Sequence, residues 1–240
     1  MNDTRQTSKA NAQAYFLQAK DVVLFLGNSI TEGAQPEMDF LVEDFKKHYP
    51  ELADGDGKVT LITSGLSGEQ AASGAGRLKG LLDQYKPTVC VVCYGTCEVT
   101  FKNEASFIPA MKDIIRQLKA AKVAITIVAP PPPSATNWKP CPWPAEQFVG
   151  GLPKMAAQAK QVTAEEGVLF VDAFTALKTF AERNHRELTT DGIHLNKDGY
   201  RVMADALQQA WGLGKAIRQE SKTESGWTRI GCAKDLNGSC

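Results

Sequence analysis

The stretch Val22-Val23-Leu24-Phe25-Leu26-Gly27-Asn28-Ser29 places five consecutive apolar residues directly before three small or polar ones. A short continuous apolar run of this kind is typical of a strand that is buried on both faces of a parallel sheet. Ser29 is therefore expected at the carboxyl end of a buried strand. Open α/β sheets bind their ligands at this edge.

The same apolar pattern recurs four more times along the chain, with intervals long enough for helices between the runs. These runs cover residues 59–63, 89–94, 124–129 and 168–171. Repeated strand-helix-strand units with right-handed crossovers build a parallel sheet between two helical layers. We predict an α/β fold, a three-layer α/β/α sandwich of the flavodoxin-like type with a five-stranded parallel sheet.

Amphipathic helices are predicted between the strands. In residues 38–45 and 107–118, apolar side chains recur at spacings of three and four. Near the end of the chain, Asn196 can cap a helix that ends around Gly212 and Gly214. Both kinds of helix would cover the predicted sheet.

A long, stiff loop is predicted after the fourth strand. Four prolines at 130–133 open a segment that reaches the glycines at 150–151, and proline cannot continue a strand or a helix there. The loop leaves the sheet at the same edge as Ser29, so it can form one wall of a binding cleft. Trp138 and Trp143 within it are candidates for stacking on a sugar ring. Packing over the edge of the sheet explains them at least equally well.

Length and charge narrow the possible functions. The chain has 240 residues, of which 43% are hydrophobic, and this length fits one domain better than two. We expect one domain over residues 1–214, including a polar segment at 1–20, followed by a polar tail at 215–240. Lys plus Arg and Asp plus Glu each total 27, so the formal net charge is zero. This balance gives no electrostatic reason to expect nucleic acid or an anionic membrane as partner, and favours a small uncharged substrate.

The amino-terminal residues give an expectation for the cellular compartment. Residues 1–20 contain no apolar stretch long enough for a signal peptide or a membrane span, so a cytoplasmic protein without membrane insertion is the default expectation. An exported protein whose signal had been removed would begin in the same way. Spacing alone does not decide whether Cys232 and Cys240 pair with each other or with another chain, and Cys141 has no obvious partner.

The remaining cysteines do not suggest a metal site. Cys90 and Cys93 fall in one predicted strand, where residues three apart point to opposite faces. This arrangement is unfavourable for a zinc site shared with Cys97. We interpret Cys90 and Cys93 as free buried thiols, and we predict neither a metal nor an organic cofactor.

Ser29 and a second motif near the end of the chain supply the groups of a serine hydrolase. Residues 191–194 read Asp-Gly-Ile-His. A serine hydroxyl is a poor nucleophile until a neighbouring base accepts its proton, and histidine can act as that base near pH 7. The short spacing keeps Asp191 and His194 on one loop, which can return both to the strand end that bears Ser29. The order Ser, Asp, His is acceptable because such triads are defined by geometry.

The sequence resembles the SGNH (GDSL-type) hydrolase superfamily, whose motif blocks recur in order between residues 22 and about 211. The matching blocks are GNSITEG at 27–33, SGLSGE at 64–69, YGTCE at 94–98 and DGIH at 191–194. The resemblance implies that Ser29 is the nucleophile, His194 the general base and Asp191 the group that orients the imidazole. It also assigns the oxyanion hole to the backbone N–H groups of Ser29 and Gly68 and to a side chain of the third block.

Two residues depart from the family pattern. Cys97 occupies the position of the family's asparagine in the third block, and Asn28 replaces the aspartate before the nucleophile. A thiol is a much weaker donor than an amide, and the loss of one oxyanion-hole donor costs about 100- to 1,000-fold in rate. We therefore expect a slowed enzyme, unless Thr96 or a water supplies the missing donor. A replacement nucleophile at Cys97 is a minor alternative.

Other polar residues in or near these motifs are assigned to structure. Glu32 and Glu98 are expected to make local hydrogen bonds, and His48 and His185 lack any catalytic motif. Asn28 can keep the local hydrogen bonds of the aspartate it replaces while it removes a negative charge beside the nucleophile. Asn28 and Thr96 are also candidate substrate-binding residues, together with Trp138 and Trp143.

The leading functional hypothesis is hydrolysis of small carboxylic esters through a serine acyl-enzyme, with acetylated sugars as candidate substrates. The alternatives are a catalytically impaired ligand-binding protein of the same fold, an acyltransferase, and a hydrolase of the lysophospholipase or thioesterase type. The sequence does not indicate an oligomeric state.

Overall fold

The computed structural model describes residues 16–139 and 142–213, and a parallel sheet lies at its centre. The strands are β1 (Val22–Gly27), β2 (Thr60–Gly65), β3 (Val89–Cys93), β4 (Ala124–Val128) and β5 (Leu169–Val171). Every neighbouring pair is parallel, in the order β2-β1-β3-β4-β5. Each strand begins and ends within two residues of its predicted apolar run. The predicted five-stranded parallel sheet is confirmed.

Helices connect the strands and cover both faces of the sheet. In chain order they are α1 (Ser29–Glu32), α2 (Gln35–His48), α3 (Pro50–Ala53), α4 (Ala71–Tyr85), α5 (Thr96–Thr100), α6 (Phe107–Ala120), α7 (Ala145–Glu166), α8 (Ala173–Asn184) and α9 (Lys197–Ala210). The two predicted amphipathic segments lie within α2 and α6. Asn196 caps α9 as predicted, because its side-chain oxygen accepts a hydrogen bond from the N–H of Gly199 at 2.9 Å.

Two hydrophobic cores lie on opposite faces of the sheet. Along β1, Val23 and Phe25 join the core that α2 and α9 cover, whereas Leu24 and Leu26 join the core that α4, α6 and α7 cover. The central strands are therefore buried on both sides, as their apolar sequences predict. β2 differs, since its residues are half-buried or exposed. Within residues 16–139 and 142–213 it is an edge strand, which pairs with β1 alone.

Cys90 and Cys93 also fall in different cores, so their side chains point to opposite faces of the sheet. Both are free buried thiols. Within the described residues, no three His, Cys, Asp or Glu side chains are grouped so that they could hold a metal.

The loop after β4 is shorter than predicted. α7 begins at Ala145, so Gly150 and Gly151 belong to a helix rather than to the loop. A Cβ at residue 151 would lie 2.6 Å from Cγ1 of Val99, so this glycine allows α7 to pack closely against α5. Pro153 lies inside the same helix, which the sequence pattern did not indicate.

Several predictions concern residues outside the described ranges. These residues include most of the segment 1–20, the tail 215–240, Cys141, Cys232 and Cys240. The domain boundary near residue 214 therefore stays a prediction. None of the described helices is both long and apolar enough to cross a bilayer.

One of the buried carboxyl groups in the helices has a strongly raised pKa. Glu37, in the first turn of α2, is 3% exposed. Burial raises its pKa from the ordinary value of 4.5 to about 8, because the charged form loses its hydration.

We predict that Glu37→Gln stabilises the protein more at pH 8 than at pH 5. Between pH 4.5 and about 8, the carboxyl ionises in the unfolded chain but stays protonated in the folded one. The unfolded state then binds fewer protons, so the original protein loses stability as pH rises, whereas glutamine does not titrate. Urea unfolding at both pH values measures the difference. Glu51→Gln, at an exposed residue of α3, is the control, and a pH-independent effect of Glu37→Gln would contradict the prediction.

Candidate active site

The residues of the predicted triad meet at the carboxyl edge of the sheet. Ser29 is the first residue of α1 and follows β1 after a single residue. Asp191 and His194 lie between α8 and α9, on a segment folded back on itself by a bridge between Thr189 and Leu195. We call residues 189–195 the Asp-His loop.

Hydrogen bonds join Ser29, His194 and Asp191 in one chain. His194 Nε2 lies 3.0 Å from Ser29 Oγ, and His194 Nδ1 lies 2.7 Å from Asp191 Oδ2. Because an ionised carboxylate can only accept, Nδ1 carries the proton, and Nε2 of the neutral ring is left to accept the serine proton. The other two histidines, His48 and His185, lie at the ends of α2 and α8.

The carboxylate of Asp191 is held in its ionised form. Its Oδ1 accepts the backbone N–H groups of Ile193 at 2.9 Å and of His194 at 2.8 Å. Burial alone would raise the pKa of Asp191, but the hydrogen bonds from the His194 ring and from these two N–H groups outweigh burial and lower the pKa. The Asp-x-x-His spacing allows this, since an aspartate readily accepts from N–H groups two and three residues ahead.

The turn that presents Ser29 is tightly packed. Asn28 is 1% exposed, and its Oδ1 caps α1 by accepting the N–H of Ile30 at 3.0 Å. A Cβ at Gly27 would lie 2.5 Å from the carbonyl oxygen of Cys93, so only glycine fits between the ends of β1 and β3. The backbone around Ser29 is thereby fixed against the sheet.

Two of the predicted oxyanion-hole residues follow β2 and β3, the strands on either side of β1. Gly68 follows β2 and has a φ of +78°, a conformation that side chains disfavour. A Cβ there would meet nothing within 4 Å, so backbone conformation rather than crowding explains the glycine. Cys97 follows β3 in the first turn of α5 and is 5% exposed. Thr96 beside it is also buried.

The thiol of Cys97 is neutral. Burial raises its pKa to about 12, and the carboxyl of Glu98 acts in the same direction. Hydrogen bonds to the sulfur from the Gly68 N–H and the Asn28 side chain act in the opposite direction but do not outweigh burial. A neutral thiol keeps its proton as a weak donor, whereas a nucleophilic cysteine must be a thiolate. The raised pKa of Cys97 therefore favours Ser29 over Cys97 as the nucleophile.

Two glutamates fix the loops that carry these groups. Glu98 accepts the N–H of Ala71 at 2.6 Å and the N–H of Gly95 at 2.9 Å, which joins the start of α4 to the turn before α5. Glu32 accepts a hydrogen bond from the hydroxyl of Ser67. Glu32 and Glu98 make structural hydrogen bonds as predicted, but Ser67 and Ala71 lie 35 and 27 residues away along the chain, so only the hydrogen bond from Gly95 to Glu98 among these three is local.

Sequence reasoning missed a further buried carboxylate next to Gly68. Glu69 accepts two hydrogen bonds of 2.6 Å from Arg77 and one of 2.6 Å from the hydroxyl of Tyr94. Arg77 also donates to the carbonyl oxygen of Ser64 at 2.6 Å. The network ties the connection after β2 to the end of β3. Two opposite charges eight residues apart were the only sign of it in the sequence.

Both tryptophans of the loop after β4 are half-buried against protein. Trp138 lies over Gly192, where a Cβ would be 2.6 Å from Cε3 of the indole. The ring centroids of Trp138 and Phe148 are 5.2 Å apart. Trp143 makes an edge contact with Phe101, with ring centroids 6.4 Å apart. Packing, one of the two predicted interpretations, therefore accounts for the buried parts of both side chains.

Solved structures share this fold at low sequence identity. A GDSL-like protein from Parabacteroides merdae is 15% identical with a TM-score of 0.69, over 84% of this chain and 100% of that one. An alpha/beta hydrolase enzyme from the metagenome of Lake Arreo is 16% identical with a TM-score of 0.67, over 86% and 100%. An acetylxylan esterase from Geobacillus stearothermophilus is 18% identical with a TM-score of 0.64, over 81% and 95%. No curated protein sequence matches the chain.

The sequence model of the GDSL-like lipase/acylhydrolase family matches residues 25–202, well over half of the chain. The matched region contains Ser29, Asp191 and His194, the three residues that the structure joins by hydrogen bonds. The chain therefore belongs to the GDSL-like lipase/acylhydrolase family, within the SGNH hydrolases.

Proposed function

We propose that the protein is a serine esterase that hydrolyses small carboxylic esters through an acyl-enzyme on Ser29. The unbroken chain of hydrogen bonds from Ser29 through His194 to Asp191, with distances of 3.0 and 2.7 Å, is the observation that supports this most directly. In such an arrangement the serine can lose its proton as its oxygen attacks, and the carboxylate stabilises the imidazolium that forms.

The proposed reaction has two halves. Ser29 Oγ attacks the ester carbonyl carbon, its proton moves to His194 Nε2, and the carbonyl electron pair moves to the oxygen. Collapse of this intermediate breaks the bond to the alcohol, which leaves with the proton from His194. A water then attacks the carbonyl carbon of the acyl group and gives a proton to His194. When this second intermediate collapses, the bond between that carbon and Ser29 Oγ breaks, His194 returns the proton to Oγ, and the acid leaves.

The developing oxyanion would be stabilised by the N–H of Ser29, by the S–H of Cys97, and by the N–H of Gly68 when the oxyanion replaces the Cys97 sulfur as its acceptor. Ser29 is the first residue of α1, where N–H groups have no acceptor within the helix. The neutral state of Cys97 supports a donor role, since only the protonated thiol has a hydrogen to share. A thiol is a weaker donor than an amide, so we expect a modest rate.

Acetyl groups on carbohydrate are the substrate class that we favour. An acetylxylan esterase is among the proteins of similar fold. Phe101 is 51% exposed and contacts Trp143, so together they offer an aromatic surface beyond the helix that carries Cys97. Aromatic rings present a flat apolar face of the kind that packs against a sugar ring.

Ser29→Ala should lower kcat for p-nitrophenyl acetate by about 10⁴-fold or more, because it removes the nucleophile. Ser73→Ala, at an exposed residue of α4, is the matched control and should keep full activity. Steady-state hydrolysis of the three proteins provides the comparison. If the original protein gave no turnover above Ser29→Ala, the esterase proposal would be wrong, and a ligand-binding role would be favoured.

Cys97→Asn should raise kcat for the same ester by roughly tenfold or more, because an amide is a stronger donor to the oxyanion than a thiol. Cys97→Ala, which removes the donor, should lower it. Equal kcat values in all three proteins would show that the side chain at residue 97 does not stabilise the oxyanion.

Trp143→Ala should lower kcat/KM for an acetylated xylooligosaccharide by about tenfold and leave hydrolysis of p-nitrophenyl acetate unchanged. Trp138→Ala is the contrasting variant, since its ring packs on Gly192 and its loss should impair both substrates. Parallel kinetics with the two esters test this. An equal loss on both esters in Trp143→Ala would exclude a sugar-binding role for Trp143.

A further inference from the structure

The loop after β4 is joined directly to the Asp-His loop. The N–H of Ser134 donates to the carbonyl oxygen of Gly192 at 2.9 Å, and the N–H of Lys139 donates to that of Asp191 at 3.2 Å. The side-chain amide of Asn137 donates to the carbonyl oxygen of Thr189 at 2.7 Å. Residues 134–139 therefore hold the Asp-His loop at the carbonyl groups of Thr189, Asp191 and Gly192.

A carboxylate outside all of the motif blocks lies between these two loops. Glu187 Oε2 accepts the hydroxyls of Ser134 at 2.6 Å and Thr136 at 3.1 Å. Glu187 Oε1 accepts the N–H of Thr189 at 3.1 Å and its hydroxyl at 2.8 Å. A carboxylate has about four acceptor positions, so these four hydrogen bonds use its full capacity.

The contacts of Glu187 continue towards the triad. The hydroxyl of Thr189, which donates to Glu187, also accepts the N–H of Gly192 at 3.2 Å. Gly192 has a φ of +96° and lies beneath Trp138, so its conformation depends on these neighbours. It is the residue directly after Asp191. Two hydrogen bonds therefore lead from Glu187 through Thr189 to the backbone of Gly192, which is bonded covalently to Asp191, the residue that orients His194.

Neutral donors rather than cations stabilise the charge of Glu187. Burial would raise its pKa, but the hydrogen bonds from Ser134, Thr189 and Thr136 outweigh burial and lower it. Glu187 lines a cavity between the loop after β4 and α8, and the charged side chains of Lys178, Glu182 and Arg186 line the same cavity. Among the described residues, Lys178 pairs with Glu182 and Arg186 with Asp198, and none of the ion pairs includes Glu187.

We propose that Glu187 is a positioning residue, which holds Asp191 and His194 in register with Ser29 by fastening the Asp-His loop to residues 134–136. The inference rests on the proposed esterase function. Misplacement of a catalytic group by about 1 Å can cost about 100-fold in rate. The effect of losing Glu187 should therefore fall on kcat rather than on substrate binding.

Glu187→Gln should lower kcat for p-nitrophenyl acetate by about tenfold to 100-fold, with KM changed by less than about twofold. The amide keeps the size of the side chain but replaces one accepting oxygen with a donor, which cannot accept from two hydroxyls. Glu182→Gln is the matched control, because that side chain is 66% exposed and lines the same cavity. Assays should run well below the melting temperatures of all variants.

Two further measurements separate positioning from general destabilisation. Ser134→Ala combined with Glu187→Gln should lower kcat no further than Glu187→Gln alone, because both changes remove the same link. The ring N–H signal of His194 in proton NMR should shift or broaden in Glu187→Gln and stay unchanged in Glu182→Gln.

The outcomes distinguish this inference from the esterase proposal. Absence of Ser29-dependent turnover in the original protein would overturn the proposed function, and the NMR comparison would still test the role of Glu187. An unchanged kcat in Glu187→Gln, or an unchanged His194 signal, would overturn the positioning role.

Discussion

The 3.0 Å contact between Ser29 Oγ and His194 Nε2 joins two residues that are 165 positions apart in the chain. Neither residue can be catalytic alone, because the hydroxyl needs a base and the imidazole needs a fixed orientation. The first requirement is met because the parallel sheet places Ser29 at the carboxyl end of β1, where the Asp-His loop brings His194 beside it. The Asp-His loop meets the second, since Asp191 accepts from the imidazole and from two backbone N–H groups.

Carboxylates held by directed hydrogen bonds recur around this contact. Asp191 is bound by the His194 ring and backbone N–H groups, Glu98 by the N–H groups of two separate loops, and Glu187 by hydroxyls. Glu69 is the exception, because Arg77 neutralises it directly. A carboxylate that accepts several N–H or O–H groups fixes the loops that supply them, which explains how irregular segments can hold a precise geometry.

The strands and the Asp191–His194 pair could be predicted from the sequence because their signals are local, whereas the pairing of His194 with Ser29, 165 positions away, was predicted from the resemblance of the motif blocks. Each strand is one apolar run, and Asp191 and His194 are three residues apart on one loop. The sequence pattern does not indicate that Gly150 and Gly151 are helical, because the contact with Val99 that explains Gly151 comes from a different helix. Glu187 was missed for a similar reason. Its donors Ser134 and Thr136 lie about fifty residues earlier in the chain, and no spacing rule connects a carboxylate to hydroxyls at that distance.

The central claim is that His194 makes Ser29 the reactive nucleophile. It is tested most directly by treating the protein with a fluorophosphonate, in which a serine oxygen displaces fluoride from phosphorus, and locating the label by peptide mass spectrometry. The account predicts a label on Ser29 in the original protein and almost none in His194→Ala after the same exposure. A label on another residue such as Cys97, or labelling of Ser29 at the same rate without His194, would contradict it.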